Sequence, residues 1–317
     1  MKKWLLAAAL ALMFLGAIVF FGAFAAADFR WDRLNTQKAV ENVYTVSDPF
    51  ASIEVDTDMV DVTFRRSEGD VCRIECKELE KMTHEAFVES GKLIVRVVDT
   101  RKWTDHIGMF IGDLHMTVYL PKDEYESLYV RNTTGDVSIT KDVRFRDVKV
   151  KCSTGDVDCS VVYSASISIK TSTGDIKVEN SSADEIGLTA TTGKISATHV
   201  NCSGKLTVEV STGDTKLKDI TCERLVTEGT TGAITLSGVM ASTMDITRKT
   251  GDVMFDRSDA GIINVKTSTG DVTGTLLTDK VFVTKTSTGD VKVPKSASDG
   301  NCKIQTSTGD ISIRICE

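Results

Sequence analysis

Residues 170–178 read KTSTGDIKV, and nearly the same words return as KTSTGDVTG from Lys266 and KTSTGDVKV from Lys285. A catalytic loop needs to be written only once, so a polar hexapeptide written repeatedly points to geometry. A Thr-Gly pair ends at Gly135, Gly155, Gly174, Gly193, Gly213, Gly232, Gly251, Gly270, Gly289 and Gly309, with gaps of 19 or 20 residues. Fixed periods of this size mean a solenoid or an array.

Each copy has one internal grammar. Thr precedes the glycine in all ten copies, and Asp follows it in eight, with Lys194 and Ala233 in the other two. Apolar residues alternate with polar ones on both sides, as in Ile167, Ile169, Ile176 and Val178 around Gly174. A period of two flanking a glycine describes a strand, a corner and a second strand. No copy shows a 3.6-residue period, and the Leu and Asn pattern of leucine-rich repeats is missing. The predicted fold is all-β, a single-stranded β-solenoid of about ten coils stacked roughly 4.8 Å apart. The ten glycines are its structural turns. Glycine permits a positive φ at each corner, and Asp, Ser and Thr can bond backbone groups that a corner leaves unpaired.

Two lysines and then 24 uncharged residues, Trp4 to Ala27, open the chain. At about 1.5 Å per residue such a helix crosses a bilayer core. Residues 1–27 therefore read as a transmembrane signal anchor with its amino terminus inside. The rival is a signal peptide cleaved after Ala27, which gives a secreted protein. Residues 28–45 read as a spacer, 46–127 as irregular β-coils forming a cap, and 128–317 as the regular solenoid. The sequence ISIRICE stops directly after a strand, so self-association through the C-terminal coil is expected at that open edge.

Eight cysteines occur. Cys152, Cys159 and Cys302 fall in inward slots, where a free thiol acts as a small hydrophobe. Cys202 and Cys222 share one phase in adjacent coils, within disulfide reach, and are the candidate bridge. The Asp column (136, 156, 175, 214, 252, 271, 290, 310) is the sharpest candidate for chemistry. It reads either as solvated corner caps with basic neighbours or as a calcium ladder.

No active-site pattern is present. His84, His106, His115 and His199 are scattered, and neither His-x-x-x-His nor Cys-x-x-Cys spacing occurs. No metal, cofactor or catalytic residue is therefore expected. The net charge of −7 argues against a nucleic-acid groove.

The STGD-Val/Ile-x-aliphatic coils, the MTVYLP strand at Met116–Pro121 and the alternating strands before it resemble the bacterial putative-adhesin family of unknown function. Its members are extracytoplasmic β-solenoids. The resemblance covers about Phe50 to Cys316 and implies a cell-envelope location without enzyme activity. Some relatives look associated with envelope-stress signalling. This chain departs from the simplest members in its amino-terminal membrane segment and its cysteine count. The functional expectation is a membrane-anchored, non-enzymatic binding or scaffold protein for an envelope polymer or another protein. The alternatives are a stress component that senses or sequesters cationic antimicrobial peptides, and a polysaccharide lyase, which would need long loops carrying acids and bases.

Overall fold

The computed structural model describes residues 2–26, 28–30, 35–103, 105, 110–295 and 301–316. Ala27 and His106, both named above, lie outside the described residues. Helix α1 (Lys2–Ala26) contains a stretch, Ala7–Ala26, with mean hydropathy 2.4 and none of its apolar window buried. It is long and apolar enough to cross a membrane.

All other elements among the described residues are strands. The amino-terminal part holds β1 (Ala39–Val46), β2 (Ser52–Thr57), β3 (Asp61–Arg66), β4 (Cys72–Leu79), β5 (Met82–Glu89), β6 (Lys92–Asp99) and β7 (His115–Leu120). The repeats follow as β8 (Glu124–Thr134), β9 (Val137–Ile139), β10 (Arg144–Thr154), β11 (Val157–Cys159), β12 (Ser164–Thr173), β13 (Ile176–Thr192), β14 (Ile195–Thr212) and β15 (Thr215–Thr231). Then come β16 (Ile234–Ser237), β17 (Met240–Thr250), β18 (Val253–Thr269), β19 (Val272–Leu276), β20 (Val281–Lys285), β21 (Val291–Lys292), β22 (Asn301–Gln305) and β23 (Ile311–Ile315). The chain is a β-solenoid.

Successive coils pair in parallel and in register, so each inward slot becomes a file of side chains. Val130, Val150, Ile169, Leu188, Val208, Thr227, Ile246 and Val265 face one another from rung to rung, and all are buried. No single rung covers its own apolar face, so the stack is stabilised by sharing it. Thr227 is the polar interruption in this file, and its hydroxyl has no partner.

A second interruption is larger. Arg248 fills an inward slot that Cys152, Thr171, Ala190 and Val210 hold in other rungs. It is 2% exposed. Its guanidinium donates to the Val210 carbonyl at 3.0 Å and to the Thr215 hydroxyl at 3.1 Å, while Nε has no partner. Gly229 stands between, and a Cβ there would strike the guanidinium. The small residue makes room for the large one.

Rung order departs from chain order at both ends. The β2–β3 rung lies between β6–β7 and β8–β9. The amino end is then closed by antiparallel pairing of β4 with β7, β1 with β4, and β5 with β6. At the other end β22 pairs with β18 on one side and β20 on the other, and β23 likewise with β19 and β21. The final glycine corners therefore run Gly270, Gly309, Gly289. Leaving β19, the chain climbs past one level, and a buried ion pair, Lys280 Nζ to Asp259 Oδ1 at 2.7 Å, fastens that climb.

Two expectations are corrected here. The segment assigned to a spacer, 28–45, carries most of β1, whose eight residues all pair with β4. Strand structure therefore begins at Ala39, and Asn35, Gln37 and Lys38 just before it already hydrogen-bond to Ile111, Asp105 and Glu80. The open edge predicted for the C-terminal coil belongs instead to β20–β21, because β22–β23 is paired on both sides. No described strand pairs with the outer edge of β20, where Val281 and Val283 are exposed.

Candidate functional site

The ten Thr-Gly corners form one edge of the rod. Each glycine has φ between +122° and +144°, a region L side chains rarely enter. At Gly174 an added Cβ would also collide with the carbonyl oxygen of Gly155 on the preceding rung. Conformation and close approach together require glycine there.

The Asp column is a hydrogen-bond ladder. Oδ1 of Asp136 accepts the backbone N–H of Asp156 at 2.7 Å, and Asp156 and Asp175 do the same for Asp175 and Lys194. The pattern continues in Asp214 to Ala233, Asp252 to Asp271, Asp271 to Asp310 and Asp310 to Asp290. One donor is thus satisfied by the neighbouring rung at each of these corners, and the ladder skips the amides of Asp214 and Asp252, whose preceding corners carry Lys194 and Ala233 in place of Asp. Sequence reasoning missed the first member, Asp61, which caps the amide of Asp136 at 2.8 Å. Its signal was the Asp-Val pair at 61–62, matching the repeat with Val60 in the glycine's place. Among the described residues no lysine or arginine is ion-paired with the ten-corner column.

Cys202 and Cys222 face each other across β14 and β15. Both are buried, and all eight cysteines are free thiols. Burial, with Cys202 beside it, pushes the Cys222 thiol up to about 12. Of the histidines, His84 is buried, and His199 lies 3.2 Å from Asp219 on the surface. His115 is exposed at the start of β7.

The outward slots of the same strands make a distinct face. Arg131, Lys151 and Lys170 oppose one another on β8, β10 and β12. Lys149 lies beside them, its Nζ 5.9 Å from the centre of the Tyr129 ring. Like charges one rung apart repel by about 0.9 kcal/mol in water. Arg131 has Asp56 at 3.9 Å, whereas Lys151 and Lys170 have no ion pair among the described residues. A shallow groove beside the cations is lined by Ser153, Ser172, Thr189 and Thr191. Cations at rung spacing, hydroxyls and one aromatic ring suit a linear anionic partner lying along the rod. The strip ends where Glu209 opposes Glu228.

A family model, Toastrack DUF4097, matches residues 50–208 and 202–317. The chain belongs to the Toastrack family. The match starts at the β2 rung of this Toastrack chain and runs through the last. No protein of curated function matches it. Among solved structures, a "putative lipid binding protein" from Parabacteroides distasonis is similar at 11% identity, with a TM-score of 0.49, covering 86% of this chain and 96% of that one. A "putative adhesin" from Bacteroides fragilis is similar at 13% identity, with a TM-score of 0.44, covering 87% and 97%. A third, a "putative adhesin" from Parabacteroides distasonis, has 11% identity and a TM-score of 0.43, covering 88% and 98%.

Proposed function

We propose that this Toastrack chain is a non-catalytic binding or scaffold protein, anchored by α1 with its amino terminus inside and its solenoid outside the cytoplasm. Its ligand is an envelope polymer carrying negative charge, lying against β8, β10 and β12. The observation that carries this reading is the in-register ladder Arg131, Lys151, Lys170 beside Lys149 and Tyr129. Repulsion within that ladder is relieved by an anionic chain, and hydroxyls line the groove it would follow. The uniform rungs support a non-catalytic role, because lyase chemistry needs acids and bases gathered on long loops.

The test is retention of the full chain, in detergent, on immobilised polygalacturonate against neutral dextran. Retention on the acidic polymer alone, lost with rising salt and in a Lys151→Glu/Lys170→Glu variant, is expected. Equal retention on both polymers, or no effect of the charge reversal, would overturn the reading.

A second reading rests on the corner edge, whose Asp residues follow the cation ladder by five positions in each rung. The Asp column is exposed at Asp136, Asp156 and Asp175, which suits capture of cationic antimicrobial peptides in envelope-stress signalling. Greater sensitivity of a deletion strain to such peptides, with unchanged polymer binding, would favour it. The free edge of β20–β21 is the place where copies of the chain would associate.

A further inference from the structure

The cap at the amino end of the rod encloses a polar cluster in otherwise apolar surroundings. Cys76 and Glu78 project inward together from β4, since residues two apart on a strand share a face. His84 enters from β5, just past the hairpin that pairs Leu79 with Met82. Cys76 and His84 are each 3% exposed and Glu78 is fully buried. One ligand-type atom from each, the sulfur, a carboxylate oxygen and a ring nitrogen, lies within 4.8 Å of the other two.

The atoms turned away from this meeting point are already held. Glu78 Oε1 accepts Asn42 Nδ2 and the Tyr44 hydroxyl, each at 2.6 Å. His84 Nε2 lies 2.8 Å from Thr57 Oγ1. The remaining pair, Nδ1 of His84 and Oε2 of Glu78, are 2.5 Å apart. In the tautomer that donates Nε2–H to Thr57, the Nδ1 lone pair and the Glu78 carboxylate face each other as two acceptors. A proton fills that gap in the other tautomer and a cation can fill it in this one, and the Cys76 sulfur stands beside the same point.

We propose that Cys76 Sγ, Glu78 Oε2 and His84 Nδ1 form a binding site for a divalent metal of the zinc type. Sulfur, imidazole and carboxylate are the donor set zinc takes, at about 2.0–2.3 Å from the ion. Ligand atoms on such an ion stand about 3.4–3.7 Å apart by tetrahedral geometry. The three residues therefore need only small side-chain shifts. A water molecule takes the fourth position. Binding releases the Cys76 thiol proton to solvent, and the thiolate becomes the sulfur ligand. Asn42, Tyr44 and Thr57 orient the ligands from behind, as outer partners of metal sites do. Since they come from β1 and β2, the ion pins the antiparallel cap to the first rungs of the stack.

The test is titration of the full chain, purified metal-free in detergent, with cobalt(II). Expected are one cobalt per chain, a thiolate-to-cobalt charge-transfer band, its bleaching by zinc, and a melting temperature that rises with zinc. Cys76→Ser removes the band, whereas Cys152→Ser, another buried thiol, leaves it. Thr57→Val weakens binding about tenfold or more. The wild-type titration decides even where Cys76→Ser fails to fold. A folded wild-type protein that gives no cobalt band and holds no metal by native mass spectrometry would overturn the proposal, leaving a proton-bridged pair only.

Discussion

The Oδ1 oxygen of Asp156 accepts the backbone N–H of Asp175, one rung along the stack, at 2.7 Å. That bond explains why the repeat writes Asp after glycine: each corner completes the next. The corner is exposed, so water can replace a lost acceptor and the loss is modest. Asp156→Ala should destabilise by about 1 kcal/mol, and Asp156→Asn, which keeps an acceptor, by clearly less. Urea unfolding of the two variants checks this, and an Asn variant as damaged as the Ala one would contradict the ladder.

Gly174 and Gly187 separate two kinds of glycine. Gly174→Ala meets both a forbidden φ and the Gly155 carbonyl, and should cost on the order of 3 kcal/mol or more. Gly187 has open space around it and no positive φ, so Gly187→Ala should be neutral within about 1 kcal/mol. Thermal melts of both variants provide the comparison. Equal effects would mean the corners are not where the strain is stored.

Buried thiols predict alkaline lability. Burial raises Cys159 and Cys302 to about 12, and Cys152 to about 11. A folded-state pKa above the unfolded one gives stability that is whole below the ordinary thiol value, about 8.5, and is lost as pH rises towards the folded values. Each thiol contributes a fall on the order of 1 kcal/mol per pH unit within that window. Denaturation midpoints should therefore drop steadily above about pH 9. A flat profile there would show those thiols to be solvated.

Cys202 and Cys222 pair across neighbouring rungs, and the proposed bridge closes a loop of 20 residues by sequence position. Chain entropy assigns such a loop about 3 kcal/mol. Protein prepared under oxidising conditions should show six alkylatable thiols after unfolding and a melting point lowered by reductant. Eight thiols under those conditions would exclude the bridge.

Much of this fold was legible because every rung must turn at the same place. Gly174 and its nine counterparts fall in one column, and the Asp ladder follows from the residue after each. Rung order was hidden for the same reason. KTSTGDVKV and QTSTGDISI obey one grammar, so either fits either level, and the connectors decide. Lys280, buried against Asp259, is such a connector residue and carries no repeat signal. Glu78 was the overlooked clue in the cap, an acid in an inward slot of an alternating strand. Its partner His84 arrives from another strand, a relation that no spacing rule detects.

The order of rungs is tested most directly by electron spin resonance distances in a Cys316→Ser background. Labels are placed at the exposed positions Thr133, Ser287 and Ser307. Stacking at about 4.8 Å per rung puts Thr133 roughly 38 Å from Ser307 and roughly 43 Å from Ser287. The label nearer in sequence is thus the farther in space. A Thr133–Ser287 distance shorter than Thr133–Ser307, or both falling well below a rod's length, would contradict it.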